Sequence, residues 1–208
     1  MLSEKDKNRY LKRYNRRLNE FGHDPRSLGW SGGKERQLTR FEAISSILGF
    51  INGDVTSILD VGCGFGDFGS FIKTHDRSIK YTGLDINKNL IAVAEQNNSV
   101  CGNFLCGTLE ELSQDICTHD LVIASGIFNL KLQNQHNEKH IFDTLSLMFE
   151  NCNLGIAADF MTDRVDWMRD EAFHLKPERA LEMALTLSKK AVLRHDYLPY
   201  EYCLYIIK

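Results

Sequence analysis

Apolar residues follow two rhythms along this chain. In the first fifty residues they recur at helical spacing, Leu11, Tyr14 and Leu18 on one segment and Leu38, Phe41, Ile44, Ile47 and Leu48 on the next. Pro25, Gly29, Gly32 and Gly33 mark a loop between them. From Ser57 onward short apolar runs take over. SILDV from Ser57, then Tyr81–Asp85, Asn103–Cys106, Asp120–Ala124 and Leu154–Ala158 read as strands. Between them, Asn87 caps a helix running through Glu95, and Asn137–Phe149 reads as another. Strands separated by helices form a parallel sheet covered on both faces. The end of the chain breaks this alternation, because Ala191–His195 and Glu201–Ile207 are joined by the short link DYLPY and form a hairpin. The expected fold is α/β: a doubly wound, mostly parallel seven-stranded sheet with an antiparallel last strand and an N-terminal helical cap. No repeat, low-complexity tract or linker divides the sequence. One domain over 1–208 is expected, with the cap over 1–56 and the core over 57–208.

The most informative stretch is SILDVGCGFGD, Ser57 to Asp67. A strand carrying an acid, Asp60, runs into alternating glycines at Gly62, Gly64 and Gly66. Glycines permit backbone conformations that a Cβ penalises and let main-chain N–H groups approach a ligand closely. About twenty residues on, a second strand ends in Asp85, where a carboxylate can accept both hydroxyls of a ribose. A nucleoside-containing cofactor follows. These residues resemble the first motif, acidic-x-Gly-x-Gly-x-Gly, and the ribose-binding acid of the class I S-adenosylmethionine-dependent methyltransferases, a Rossmann-like superfamily. The rival is a dinucleotide-binding domain, since Gly64, Gly66 and Gly69 also fit G-x-G-x-x-G. That fingerprint starts at the first glycine after the strand, and in this register its third glycine falls on Asp67. An anionic side chain there opposes a pyrophosphate at a helix N-terminus. A sulfonium and an ammonium tolerate it.

The resemblance extends position by position. It implies cofactor contacts from Asp60, Gly62, Cys63, Gly64, Asp85 and Ile86, from Thr108 and Leu109 after the third strand, and from Ser125 after the fourth. Thr108 departs from the family, which usually places a carboxylate there for the adenine amino group. The run after the fourth strand, SGIFNL, lacks the Asn/Asp-Pro-Pro-aromatic pattern of enzymes that methylate amino groups of nucleic-acid bases. Methyl transfer mainly requires alignment and removal of water. Where a proton must also leave, His174 in the insertion after the fifth strand and His195 at the end of the penultimate strand are candidate bases. Asn129 and Lys131 could position an acceptor without titrating. The family's N-terminal helices imply a lid built from Tyr14, Trp30, Gln37 or Arg40, and the equally open reading is that Trp30 and Arg40 anchor the helix to the core. The Phe160–Met168 insertion reads as a second lid or as a loop packed by Trp167. WSGGKERQLTRF, ASGIFNLKL and HDYLPYEY also resemble a bacterial group of small methyltransferases of unassigned substrate.

Composition changes the picture little. Twenty-five Lys and Arg against 28 Asp and Glu give a net charge of −3 and no global pull toward nucleic acid. The charge is uneven, with seven cations between Lys5 and Arg17 beside two acids. A solvated helix face and a contact surface both fit that pattern. Six cysteines form no C-x-x-C pair, so no metal is expected and buried free thiols are the default. The charged N-terminus and the absence of a long apolar run point to the cytoplasm, with no membrane partner. The expected function is methyl transfer from S-adenosylmethionine to a small molecule, not to a nucleic acid, and oligomeric state is left open. The alternatives are a non-catalytic S-adenosylmethionine-binding regulatory module, or an RNA methyltransferase docking through the basic N-terminal helix.

Overall fold

The structure is a computed structural model that describes residues 2–30, 32–112, 118–134 and 136–208, with only the backbone of Leu112. Seven strands form one sheet: β1 (Ser57–Val61), β2 (Lys80–Asp85), β3 (Gly102–Cys106), β4 (His119–Ala124), β5 (Cys152–Met161), β6 (Lys190–Leu198) and β7 (Glu201–Ile207). Their order is β3-β2-β1-β4-β5-β7-β6. The pairs among β1 to β5 are parallel, and β7 is antiparallel to both β5 and β6. This is the expected architecture, with the hairpin inserting β7 beside β5. The strand order reverses between β1 and β4, and in open α/β sheets ligands bind at such a switch point, outside the carboxyl ends of the strands.

Side chains alternate across the sheet and divide the core in two. From β1 and β4, Leu59, Val122 and Ala124 face one layer, where α6 (Asn137–Glu150) and α7 (Pro177–Leu187) contribute Ile141, Leu145, Met148, Met183 and Ala184. Ile58, Leu121 and Ile123 face the other, against Phe41 and Ile44 of α2 (Gly33–Ser45) and Phe68 and Ile72 of α3 (Asp67–His75). The central strands are buried on both faces, which is why they read as continuous apolar runs. β5 continues through Asp159, Phe160 and Met161, beyond its apolar run, because β7 pairs with it as far as Glu201. The apolar rhythm after Leu38 splits at Ser46, where α2 gives way to a 3-10 turn through Phe50. Leu38 on α2 and Leu48 on the 3-10 turn are exposed.

The N-terminal helix α1 (Glu4–Phe21) is capped by Ser3, whose hydroxyl accepts the Asp6 N–H. It lies across the loops at the carboxyl ends of four strands. Asn15 accepts from Asn87 and Asn89 beyond β2, at 2.9 and 3.1 Å. Lys7 pairs with Glu111 of the short α5 (Leu109–Leu112) beyond β3, at 2.9 Å. Arg9 donates to the Lys131 carbonyl and buried Asp6 accepts the Gln133 N–H, both beyond β4. Arg13 meets Glu171 beyond β5, at 3.0 Å. Much of the basic segment is thereby used to hold α1 over the sheet. Lys5, Lys12 and Arg16 stay exposed on its outer face.

Cys63, Cys101, Cys152 and Cys203 are buried free thiols, Cys106 is exposed, and Cys117 lies outside the described residues. Among the described residues no helix is long and apolar enough to cross a membrane, and no cluster of three His, Cys, Asp or Glu side chains could hold a metal.

Candidate active site

The chain leaving β1 curls toward β2, with the Gly62 and Cys63 N–H groups donating to the Leu84 carbonyl at 2.7 and 3.0 Å. Gly62, Gly64 and Gly66 have φ of 77°, 57° and 73°, a region side chains avoid. Space excludes a Cβ as well: on Gly62 it would stand 2.2 Å from Ile127 Cγ2, and on Gly66 2.3 Å from Phe104 Cε1. Asp85 closes the turn from the end of β2. Its Oδ2 accepts the Gly64 N–H at 3.0 Å and its Oδ1 the Asn87 N–H at 2.8 Å. Burial raises its pKa, and those two N–H groups oppose the shift. Asp60 is buried one strand away and accepts the Tyr81 hydroxyl at 2.6 Å. Burial pushes its pKa up to about 7, with Asp85, Asp159 and Asp67 adding like charge.

A second half of the site gathers beyond β4 and β5. Buried Asp159 accepts the Ser125 hydroxyl at 2.5 Å and the Gly126 N–H at 2.7 Å. Burial lifts its pKa to about 6, against the pull of Arg40. Gly126, at φ 75°, lies so close to Trp30 that a Cβ would stand 2.3 Å from Cη2. The guanidinium of Arg40 sits over the Trp30 ring, 4.2 Å from its centroid. Arg40 and Glu201 are both buried and form a two-bond ion pair, Nε to Oε2 at 2.5 Å and Nη2 to Oε1. Arg36 approaches the same carboxylate at 3.4 Å.

These walls enclose one cavity. Asp60, Gly62, Cys63, Gly64, Asp85, Ile86, Thr108, Leu109 and Ser125 all line it. Tyr10, Leu11 and Tyr14 of α1 roof it, with Leu28, Trp30 and Gln37 at one side. Its described lining includes four carboxylates, of Asp60, Asp67, Asp85 and Glu110, and no Lys or Arg.

Several expected residues sit elsewhere. His174, His195 and Asn129 do not line the cavity. His195 is exposed on β6, the outermost strand, edge-on to Tyr202. His174 binds the Thr162 carbonyl through Nδ1 at 2.7 Å, and Asn129 Oδ1 accepts the Met161 N–H at 3.3 Å. Thr108 reaches the cavity, yet its hydroxyl accepts the Glu111 N–H while Glu111 accepts the Thr108 N–H, a reciprocal cap that starts α5. Trp167 is 71% exposed and neither packs its loop nor faces the cavity. Arg40 stands behind Trp30 and is not in the lining.

Sequence reasoning missed His140 and Thr144, which enter the cavity from α6. Burial lowers the His140 pKa to about 4. It also missed Asp159, although the same signal that marked Asp60 and Asp85 was present, an acid at the end of an apolar run.

A seven-stranded sheet in this order, a glycine turn whose N–H is held by the acid ending β2, and a cavity whose described lining has four carboxylates and no Lys or Arg suit a nucleoside that carries positive charge and no phosphate. The chain carries a methyltransferase domain and is similar to the class I S-adenosylmethionine-dependent methyltransferases. A family model described as a methyltransferase domain matches residues 58–148. "Putative methyltransferase Rv1506c" of Mycobacterium tuberculosis is 28% identical over 162 residues, which span 74% of this chain and 95% of that protein. Among solved structures, the plantazolicin methyltransferase BpumL, in complex with a triazolic desmethylPZN analog and SAH, aligns with a TM-score of 0.68 at 14% identity, covering 99% of both chains. Magnesium protoporphyrin IX methyltransferase of Synechocystis PCC 6803 with bound SAH aligns with a TM-score of 0.60 at 12% identity, covering 82% of this chain and 84% of that one. Human N-acetylserotonin methyltransferase with SAM gives 0.62 at 14%, covering 82% of this chain and 50% of that one.

Proposed function

We propose that this chain transfers a methyl group from S-adenosylmethionine to a small-molecule acceptor. One observation carries this reading: α1 is tied across the loops beyond β2 to β5, and the cavity beneath it has carboxylates but no Lys or Arg in its described lining. A polyanion would meet carboxylates and no Lys or Arg in the described lining, and α1 lies across the loops at that end of the sheet. Two neighbours in fold, the plantazolicin and N-acetylserotonin enzymes, are named for organic acceptors of small or peptide size.

In this reading S-adenosylmethionine supplies an electrophilic methyl group on a positively charged sulfur. Asp85 takes the ribose hydroxyls with the carboxylate directions its two backbone N–H partners leave open. Ile86 and Leu109 flank the adenine, and Thr108 offers its edge only groups not engaged in capping α5. Gly62, Cys63 and Gly64 let the backbone approach the methionine portion. Asp60 faces its ammonium, and Ser125 lies beside it with its hydroxyl donated to Asp159. Tyr10, Leu11 and Tyr14 exclude water from above. Neither His174, His195 nor Asn129 is needed, so alignment and desolvation carry the rate.

The test is a calorimetric titration with S-adenosylhomocysteine and NAD, then a screen of metabolites and RNA for acceptor-dependent formation of S-adenosylhomocysteine. Binding of S-adenosylhomocysteine with turnover on a metabolite is the expected result. Binding without turnover on any acceptor would favour the regulatory module, and an NAD titration would overturn the assignment.

A further inference from the structure

We propose that Trp30 is the wall against which the methyl acceptor is held, that Arg40 and Glu201 are positioning residues behind it, and that the acceptor presents an uncharged planar ring. This rests on the methyltransferase reading above. Gly126 follows β4 at the switch point of the sheet, where the reacting end of a ligand belongs. Its N–H and the Ser125 hydroxyl are both anchored on Asp159, which fixes this loop from the sheet side. Trp30 lies on the opposite side, close enough that no side chain fits at position 126. The indole therefore bounds the space directly above the loop, and it also lines the cavity.

The ring is held from behind by a chain of contacts rooted in the sheet. Glu201 pairs with Met161 in the β5–β7 ladder, grips Arg40 through two bonds, and so sets the guanidinium over the indole at 4.2 Å. A buried ion pair is an expensive way to join a helix to a sheet, since apolar side chains of similar volume often do as well or better. A planar guanidinium fixed in orientation does something they do not, because it stacks on an aromatic face and sets its plane.

The occupied face of Trp30 also constrains the acceptor. Arg40 is a cation on that ring, so a second cation on the open face would meet like charge through the same indole. An anion would find the carboxylates of Asp60, Asp67, Asp85 and Glu110 and no Lys or Arg in the described lining. A neutral flat ring gains offset-stacked or edge contact with the indole without either penalty.

The chain has two tryptophans, Trp30 and Trp167, and the second is exposed and away from the cavity. Trp167→Phe leaves Trp30 as the sole reporter. In that protein, S-adenosylhomocysteine should change the Trp30 emission with the midpoint that calorimetry gives. Glu201→Gln should shift the emission to the red while S-adenosylhomocysteine affinity stays within about twofold. With S-adenosylhomocysteine bound, quinoline should bind roughly five- to tenfold more tightly than its N-methylated cation or a quinoline carboxylate, the size of one aromatic contact. Trp30→Phe should keep this preference and Trp30→Ala should lose it. If calorimetry shows no S-adenosylhomocysteine binding to the unmodified protein, the methyltransferase reading itself falls. If binding is intact, Trp30 emission blind to both S-adenosylhomocysteine and Glu201→Gln, or a charged probe binding as well as quinoline, overturns this inference alone.

Discussion

The two halves of the cavity are built by different means. The half at β1 to β3 is made of short contiguous segments, and its key bonds, Gly64 to Asp85 and Tyr81 to Asp60, each join residues 21 apart in the chain. The half at β4 to β7 joins Ser125 and Gly126 to Asp159, 34 and 33 residues apart, and adds a pair brought from opposite ends of the sequence, Arg40 and Glu201, separated by 161 residues. The first half rests mainly on backbone, three glycines in the left-handed region and N–H groups aimed at Asp85. The second has one such glycine, Gly126, with its N–H on Asp159, and adds a long-range grip of side chain on side chain. A backbone cradle suits a ligand that never changes, whereas a side-chain wall can be rebuilt without disturbing the strands. The function proposed above would put the cofactor at the first half and the acceptor at the second.

Substitutions should separate the halves by what they damage. The largest effect is expected at Arg40. Arg40→Ala strands the Glu201 carboxylate in the interior with only Arg36 at 3.4 Å, and losing one partner of a buried pair typically costs about 3–5 kcal/mol. Denaturant unfolding should show that loss. A change within 1 kcal/mol or so would mean that the pair is not what fastens the cap to the sheet. Asp85→Ala should instead leave folding nearly intact and weaken S-adenosylhomocysteine binding by about 1.5–3 kcal/mol, for charge-assisted bonds to the ribose. Unchanged affinity in calorimetry would remove Asp85 from the cofactor site.

The same division explains what the sequence made legible. Each strand of the sheet announced itself, because β1, β4 and β5 are buried on both faces and leave apolar runs. The glycine turn and Asp85 were legible because a local backbone conformation dictates a local residue type. The pairing of Arg40 with Glu201 leaves no local trace, since each residue alone reads as an ordinary helix or strand charge. His195 misled for the same reason in reverse. Its strand direction puts it at the correct end of the sheet, but the hairpin inserts β7 and pushes β6 to the outer edge. Thr108 looked like a weakened adenine contact, when part of its role is to cap a four-residue helix.

The acids of the two halves are coupled through pH. Asp60 and Asp159 have pKa values raised to about 7 and about 6, so the folded protein holds protons that the unfolded chain releases near pH 4. Stability of the ligand-free protein should therefore fall as pH rises from about 4 toward 7, by an amount on the order of a few kcal/mol. Affinity for cationic S-adenosylmethionine should move the other way. Each ligand molecule displaces a proton from Asp60, so affinity should rise with pH below 7, at most about tenfold per unit. Asp60→Asn should flatten that slope. A pH-independent affinity in the unmodified protein would show that Asp60 does not face the ligand's charge.

The smallest effects are expected on the outer face of α1, and they test whether the basic segment is a docking surface or scaffolding. Lys7 and Arg13 make ion pairs to Glu111 and Glu171 at partly exposed sites, where such pairs contribute about 0–1 kcal/mol each. Lys5, Lys12 and Arg16 are exposed and remain available to a polyanion. Reversing these three to Glu should alter stability by less than about 0.5 kcal/mol and leave S-adenosylhomocysteine affinity unchanged, since none of them lines the cavity. RNA bound through them would dissociate steeply as salt rises, because each phosphate contact releases counterions. The expected observation is weak RNA retention at low salt, no methyl incorporation into RNA, and no change in either after reversal beyond the loss of that weak retention. Methylated RNA whose yield collapses with salt and with the three reversals would show that the segment delivers a polyanion to the cavity mouth, and the division between a fixed cofactor half and a small-molecule acceptor half would fail.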